Sequence, residues 1–155
     1  MAYVGTSPIV LNVTPGTNQL TVDFTQTDLG DPLPTYYYSF DGVDVLGSGV
    51  FSSPLIISDI SAATTFYIVA SNSAGNAFSD PSSGTPNTVG SNPTIDTVTP
   101  GTNQLTVNFT QSDLGSPAPT YYYSLDGTTT LGTGVASSPL VIADISAVTT
   151  LYIIA

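Results

Sequence analysis

Pro15–Gly42 reads PGTNQLTVDFTQTDLGDPLPTYYYSFDG, and 85 positions later Pro100–Gly127 reads PGTNQLTVNFTQSDLGSPAPTYYYSLDG. In the first copy Leu20, Val22 and Phe24 alternate with Thr21, Asp23 and Thr25. That period of two predicts a half-buried strand over Gln19–Gln26. Thr35–Phe40 reads as a second strand, with Tyr36, Tyr38 and Phe40 on its inner face, closed by the Asp41-Gly42 turn. Between them Asp28–Pro34 reads as a loop, because Gly30, Pro32 and Pro34 deny a strand its ladder.

The same punctuation continues on both sides. Ile9–Val13 is an expected strand, ended by a turn at Pro15-Gly16. Val43–Leu46 is an expected exposed edge, since Val43, Asp44 and Val45 all become threonine in the second copy. Leu55–Ile60 follows, with Leu55, Ile57 and Ile60 as core candidates; then come Thr65–Ser71 and a last strand at Asn76–Asp80. β-branched and aromatic residues fill these runs, and none shows helical periodicity with caps. The class is all-β. Pro8–Ala70 aligns without gaps to Pro93–Ala155, with 44 of 63 residues identical. A period of 85 suits one whole small sandwich domain, so the chain reads as two tandem antiparallel β-sandwiches. The expected boundaries are 1–85, with a core at 8–80 and a linker at 81–92, and 86–155.

Composition narrows the chemistry. All eleven charged side chains are Asp, giving a net charge of −11 with no Lys, Arg, His, Glu or Cys. Such a surface repels nucleic acid and anionic membranes. Thiolate, imidazole and ammonium chemistry have no side chain to use, which argues against an enzyme. Lack of cysteine removes disulfides and thiolate metal sites. The longest apolar runs, such as FYIVA, are strand-sized, well short of the ~18 residues of a membrane span. MAYVGTSP at the start has neither the basic region nor the apolar core of a signal peptide.

PGTNQLTVDF, PTYYYSFDG, SPLIISDIS and FYIVASNSAG…SDP together resemble a fibronectin type III domain, within the wider immunoglobulin-like class. Phe24 and Phe109 stand where that family usually carries a tryptophan, and position 66 changes from Phe to Leu151 between copies. The resemblance implies a spacer, adhesive or structural module rather than a reaction. Without arginine there is no integrin-type tripeptide to carry over.

Ala155 aligns with Ala70, inside the strand Thr65–Ser71. The second copy therefore has no counterpart of Ser71–Thr85, which holds the last strand of the first. Its neighbour Leu151, Tyr152, Ile153, Ile154, Ala155 is expected to expose an unpaired edge. Two readings stay open: the repeat array continues, or another chain supplies the strand by donor-strand complementation.

Other candidate sites are local. Asp28 and Asp31 in one loop, with Asp41 and Asp44 in the next, are candidate oxygen ligands for Ca²⁺. Asp is equally common in turns for its local hydrogen bonds, and Asp31 and Asp44 become Ser116 and Thr129. Asn12-Val13-Thr14 and Asn108-Phe109-Thr110 match the N-glycosylation acceptor pattern, with both asparagines expected to point outward. Tyr37 and Tyr122 are expected as lone outward rings, able to stack on sugars. These readings converge on a structural module of an extracellular or virion-surface repeat protein, a fibre, stalk or appendage whose partner is itself. The alternative is a carbohydrate- or receptor-binding adhesion module, with glycans as partners.

Overall fold

The alternation at residues 19–25 becomes the centre of a sheet. The computed structural model describes residues 1–145 and 150–155. They form two compact units, Met1–Asn87 and Thr88–Ala155. All regular structure among the described residues is β-strand.

Unit 1 contains β1 (Tyr3–Val4), β2 (Ile9–Gly16), β3 (Gln19–Thr25), β4 (Gly30–Asp31), β5 (Thr35–Ser39), β6 (Leu46–Val50), β7 (Leu55–Ser58), β8 (Thr64–Asn72), β9 (Gly75–Phe78) and β10 (Ser82–Gly84). One sheet runs β2-β3-β7 and the other β10-β8-β5-β6, with β9 also on β8 and every pairing antiparallel. Leu20, Val22, Phe24, Leu55 and Ile57 from the first sheet meet Tyr36, Phe66, Ile68 and Ala70 from the second, with Ile60 closing the end. Burying each large side chain contributes about 1.5–3 kcal/mol, so this sandwich-like core carries the unit's stability.

Several local expectations are corrected by where backbone groups find partners. The hairpin turn after β2 falls on Thr17-Asn18, because Pro15 and Gly16 pair with Leu20 and Gln19. β2 is a sheet edge, where a proline's missing N–H costs nothing, and Asn18 takes the left-handed conformation (φ 54°) that Asn tolerates. The 28–34 loop is not free of strand: Gly30 and Asp31 pair with Val4 and Tyr3. Residues 43–45 form no strand. The Asp41 carboxylate accepts the amides of Val43 and Asp44 at 2.8 and 2.9 Å, and those amides cannot also enter a ladder. The edge strand instead starts at Leu46. Phe40 is 38% exposed rather than core, and Leu125 behaves alike, because β5 ends at Ser39, which is itself fully buried.

The expected linker 81–92 is partly strand. Asp80 and Pro81 bulge out between β9 and β10, since Pro81 has no amide to donate. Ser79 bridges the interruption: its amide donates to Ile68 O at 2.9 Å and its hydroxyl accepts Ile68 N at 2.9 Å. Ser82, Ser83 and Gly84 then pair with Phe66, Thr65 and Thr64. Pro86 is buried, and Asn87 exchanges hydrogen bonds with the 16–18 turn, Asn87 N to Gly16 O and Asn18 N to Asn87 O.

Unit 2 repeats the plan with β11 (Thr88–Val89), β12 (Thr94–Gly101), β13 (Gln104–Thr110), β14 (Gly115–Ser116), β15 (Tyr121–Ser124), β16 (Leu131–Val135), β17 (Leu140–Ala143) and β18 (Tyr152–Ile154). Its sheets run β12-β13-β17 and β16-β15-β18, and β11 pairs with β14. Val107, Phe109, Tyr121, Leu140 and Ile142 form its core. The repetition extends to single bonds. Ser53 Oγ accepts Phe24 N and Ser138 Oγ accepts Phe109 N, both at 3.0 Å, each hydroxyl continuing a ladder its strand has left. Tyr36 donates to Gln26 Oε1 at 2.8 Å and Tyr121 to Gln111 Oε1 at 2.7 Å.

Candidate functional site

The units differ most along one seam, where β18 answers to β8. β8 is nine residues long and pairs with β5 on one side and with β9 and β10 on the other. β18 is three residues long and pairs only with β15, through Tyr122↔Ile154, Tyr123↔Ile153 and Ser124↔Tyr152. Among the described residues no strand lies on its far side. Those N–H and C=O groups form a template for an added strand.

Leu151 and Ile153 face the core of unit 2, while Tyr152 is 45% exposed and lies over Gly127, as Tyr67 lies over Gly42. Ile154 and Ala155 complete the edge. Side-chain burial drops along it. Ile68, Val69 and Ala70 are buried in unit 1, whereas Ile153 and Ile154 are half-buried and Ala155 is exposed. The loss reaches the facing sheet, where buried Leu20 becomes half-buried Leu105, and half-buried Val13 becomes exposed Val98. A cleft of about 800 Å³ follows the seam, lined among others by Val89, Pro93, Ile95, Leu114, Leu151 and Ile154. Leu105, Val98 and the cleft did not emerge from strand patterns, because only the position of the missing neighbour exposes them; carrying the 85-residue offset onto the contacts of unit 1 would have found them.

The four acidic candidates do not assemble. Asp28 Oδ1 accepts Tyr3 Oη at 3.2 Å and the Gly30 amide at 3.0 Å; Asp31 is exposed on β4. Asp41 Oδ1 accepts Ser39 Oγ at 3.0 Å besides its two amides, and Asp44 is exposed. Among the described residues no three acidic side chains stand close enough to share a metal ion. Asp41 instead organises its own turn. The amides of Asp44 and Val43, then the Ser39 hydroxyl, hold its carboxyl below the usual range. Asp126 is held well below it by the Thr129 and Thr128 amides and the hydroxyls of Thr129 and Ser124. The Ser-x-Asp-Gly spelling of both copies is the signal for this device: buried Ser39 also accepts the amide of Gly42, whose φ of 74° favours glycine.

Asn12 is exposed on β2, donating to Thr14 Oγ1 at 3.1 Å and Asp23 Oδ2 at 3.3 Å. Asn108 is half-buried on β13 and donates to Thr97 Oγ1 at 2.9 Å. Both sequon side chains are therefore engaged in cross-strand bonds. Tyr37 and Tyr122 are half-buried rather than free rings. Each packs on a β6 or β16 glycine, where a Cβ on Gly49 or Gly134 would come within 2.8 Å of the ring.

No protein-family model matches the chain, and no curated protein is similar to it.

Proposed function

We propose that this chain is a structural module of an extracellular or virion-surface repeat protein, a fibre, stalk or appendage built from fibronectin type III-like units. The observation that carries the reading is the repetition itself. Two units share one strand order, and they reuse the same turn carboxylate (Asp41, Asp126), the same ladder-continuing serine (Ser53, Ser138) and the same Tyr–Gln pair. Identity of internal supports, rather than of one surface pocket, is what a polymer of units requires. A three-strand sheet facing a five-strand sheet, in which β9 and β10 share one side of β8, supports the family resemblance. A surface with eleven carboxylates and no cationic side chain favours solubility over adsorption to anionic polymers.

Electron microscopy of the native source, with an antibody raised against the purified chain, tests the reading. Label is expected at regular intervals along a filament or surface appendage; label confined to dispersed soluble particles would refute it.

A further inference from the structure

The geometry points to a self-cleavage site at the Asp80-Pro81 bond, cut in mild acid by the Asp80 carboxyl while the Ser79 hydroxyl polarises the carbonyl under attack. This goes beyond the reading of the chain as a repeat module and does not depend on it.

Three features meet at this bond. Asp80 and Pro81 bulge out between β9 and β10, both exposed, so water and protons reach them. The Ser79 hydroxyl, in a residue only 6% exposed, is fixed from both sides. Its oxygen accepts Ile68 N at 2.9 Å, and its single proton goes to Asp80 O at 2.8 Å. That carbonyl oxygen belongs to the bond itself and gains negative charge when its carbon is attacked, so the hydroxyl is a preplaced oxyanion donor. Pro81 makes the leaving nitrogen that of a tertiary amide, which departs as a secondary amine.

The attacking group is the Asp80 carboxyl, held by its own Cβ where it closes a five-membered ring. One Oδ bonds to the Asp80 carbonyl carbon, the bond to Pro81 N breaks, and the carboxyl proton passes to that nitrogen. A cyclic anhydride on Asp80 and a free Pro81 amine result; water then opens the anhydride to two carboxyls. The cut would leave residues 81–155 held to the preceding chain by the pairing of Ser82–Gly84 with β8 and the Asn87 bonds to the 16–18 turn. A covalent junction thereby becomes a releasable one.

Asp31-Pro32 offers the same chemistry without the polarising group. Asp31 lies opposite Tyr3 in the β1-β4 pairing, and Pro32 O accepts Asn72 Nδ2 at 2.8 Å. Among the described residues no side-chain hydroxyl donates to Asp31 O.

The test incubates the intact, folded chain at about pH 4, where aspartates ordinarily take up protons, and follows fragments by mass spectrometry. Fragments 1–80 and 81–155 are expected to exceed 1–31 and 32–155 about tenfold, the worth of one strengthened hydrogen bond. Urea, which dissolves the Ser79 geometry, should bring the two cuts level. Asp80→Asn should remove the first cut alone. Ser79→Ala should lower that cut to the rate of the second, and Ser79→Thr, which keeps a hydroxyl, should restore it, with circular dichroism confirming that each variant is folded. Equal cutting of both bonds in the folded chain, or a preference that survives in urea, would overturn the inference. So would a folded chain that stays intact, or an Asp80 cut indifferent to Ser79→Ala. Should Ser79→Ala fail to fold, the comparison of folded and urea-treated wild-type chain decides by itself.

Discussion

Leu20 and Leu105 are the same residue in nearly the same local sequence, and truncating each to alanine should cost very different amounts. Leu20 is completely buried in the core between the two sheets, opposite its cross-strand partner Ile57 and beneath Gly84. Removing three carbons forfeits about 2.4 kcal/mol of transfer energy at about 0.8 kcal/mol each. The closed cavity that remains raises the total to about 3–5 kcal/mol. Leu105 is half-buried, so part of that transfer energy is never gained and the space left is open to water. Its truncation should cost about 1–1.5 kcal/mol. At about 4–8 °C per kcal/mol for units of this size, Leu20→Ala lowers the melting temperature of unit 1 by more than about 12 °C. Leu105→Ala lowers that of unit 2 by about 4–12 °C. Differential scanning calorimetry separates the two, each transition being assigned by the variant that moves it. Fusing a second Ser71–Asn87 after Ala155 should then raise the cost of Leu105→Ala to that of Leu20→Ala. Equal costs in the unfused chain would refute the reasoning, because the seam would not be where coverage differs.

The turn carboxylates predict a pH dependence. Asp41 and Asp126 are depressed below their ordinary value of 3.8 on folding, so they contribute stability above that value and lose it as pH falls through the range below. Denaturant midpoints should drop on acidification from about pH 5 to about pH 2, and the double variant Asp41→Asn, Asp126→Asn should show a smaller drop, with lower stability at neutral pH. An unchanged drop in the double variant would mean that other groups govern acid unfolding. Tyr36→Phe keeps the ring 4.7 Å from Phe24 but loses the bond to Gln26, and should cost about 1 kcal/mol by urea denaturation. No loss would show the Tyr–Gln pair to be incidental.

The sequence by itself determined the class, the repeat and the core. Alternation at 19–25 places Leu20, Val22 and Phe24 inward because successive side chains of a strand point to opposite faces. Leu55 and Ile57 were legible for the same reason, whereas Ile60, just past the strand's end, breaks the period and was legible only as an apolar residue. Tertiary structure decided whatever depends on a distant hydrogen-bond partner. Phe40 left the core because Ser39 and Asp41 close the turn around a buried hydroxyl. Residues 43–45 lost their strand because one carboxylate took their amides. Ser82–Gly84 joined the sheet because Ser79 carries the ladder past Pro81, which no local pattern announces. For the candidate site, Leu151–Ala155 could be named from an 85-residue offset. The cleft and the opening of Leu105 and Val98 arise only where two sheets face each other. Burial is a property of neighbours, and those neighbours lie tens of residues away along the chain.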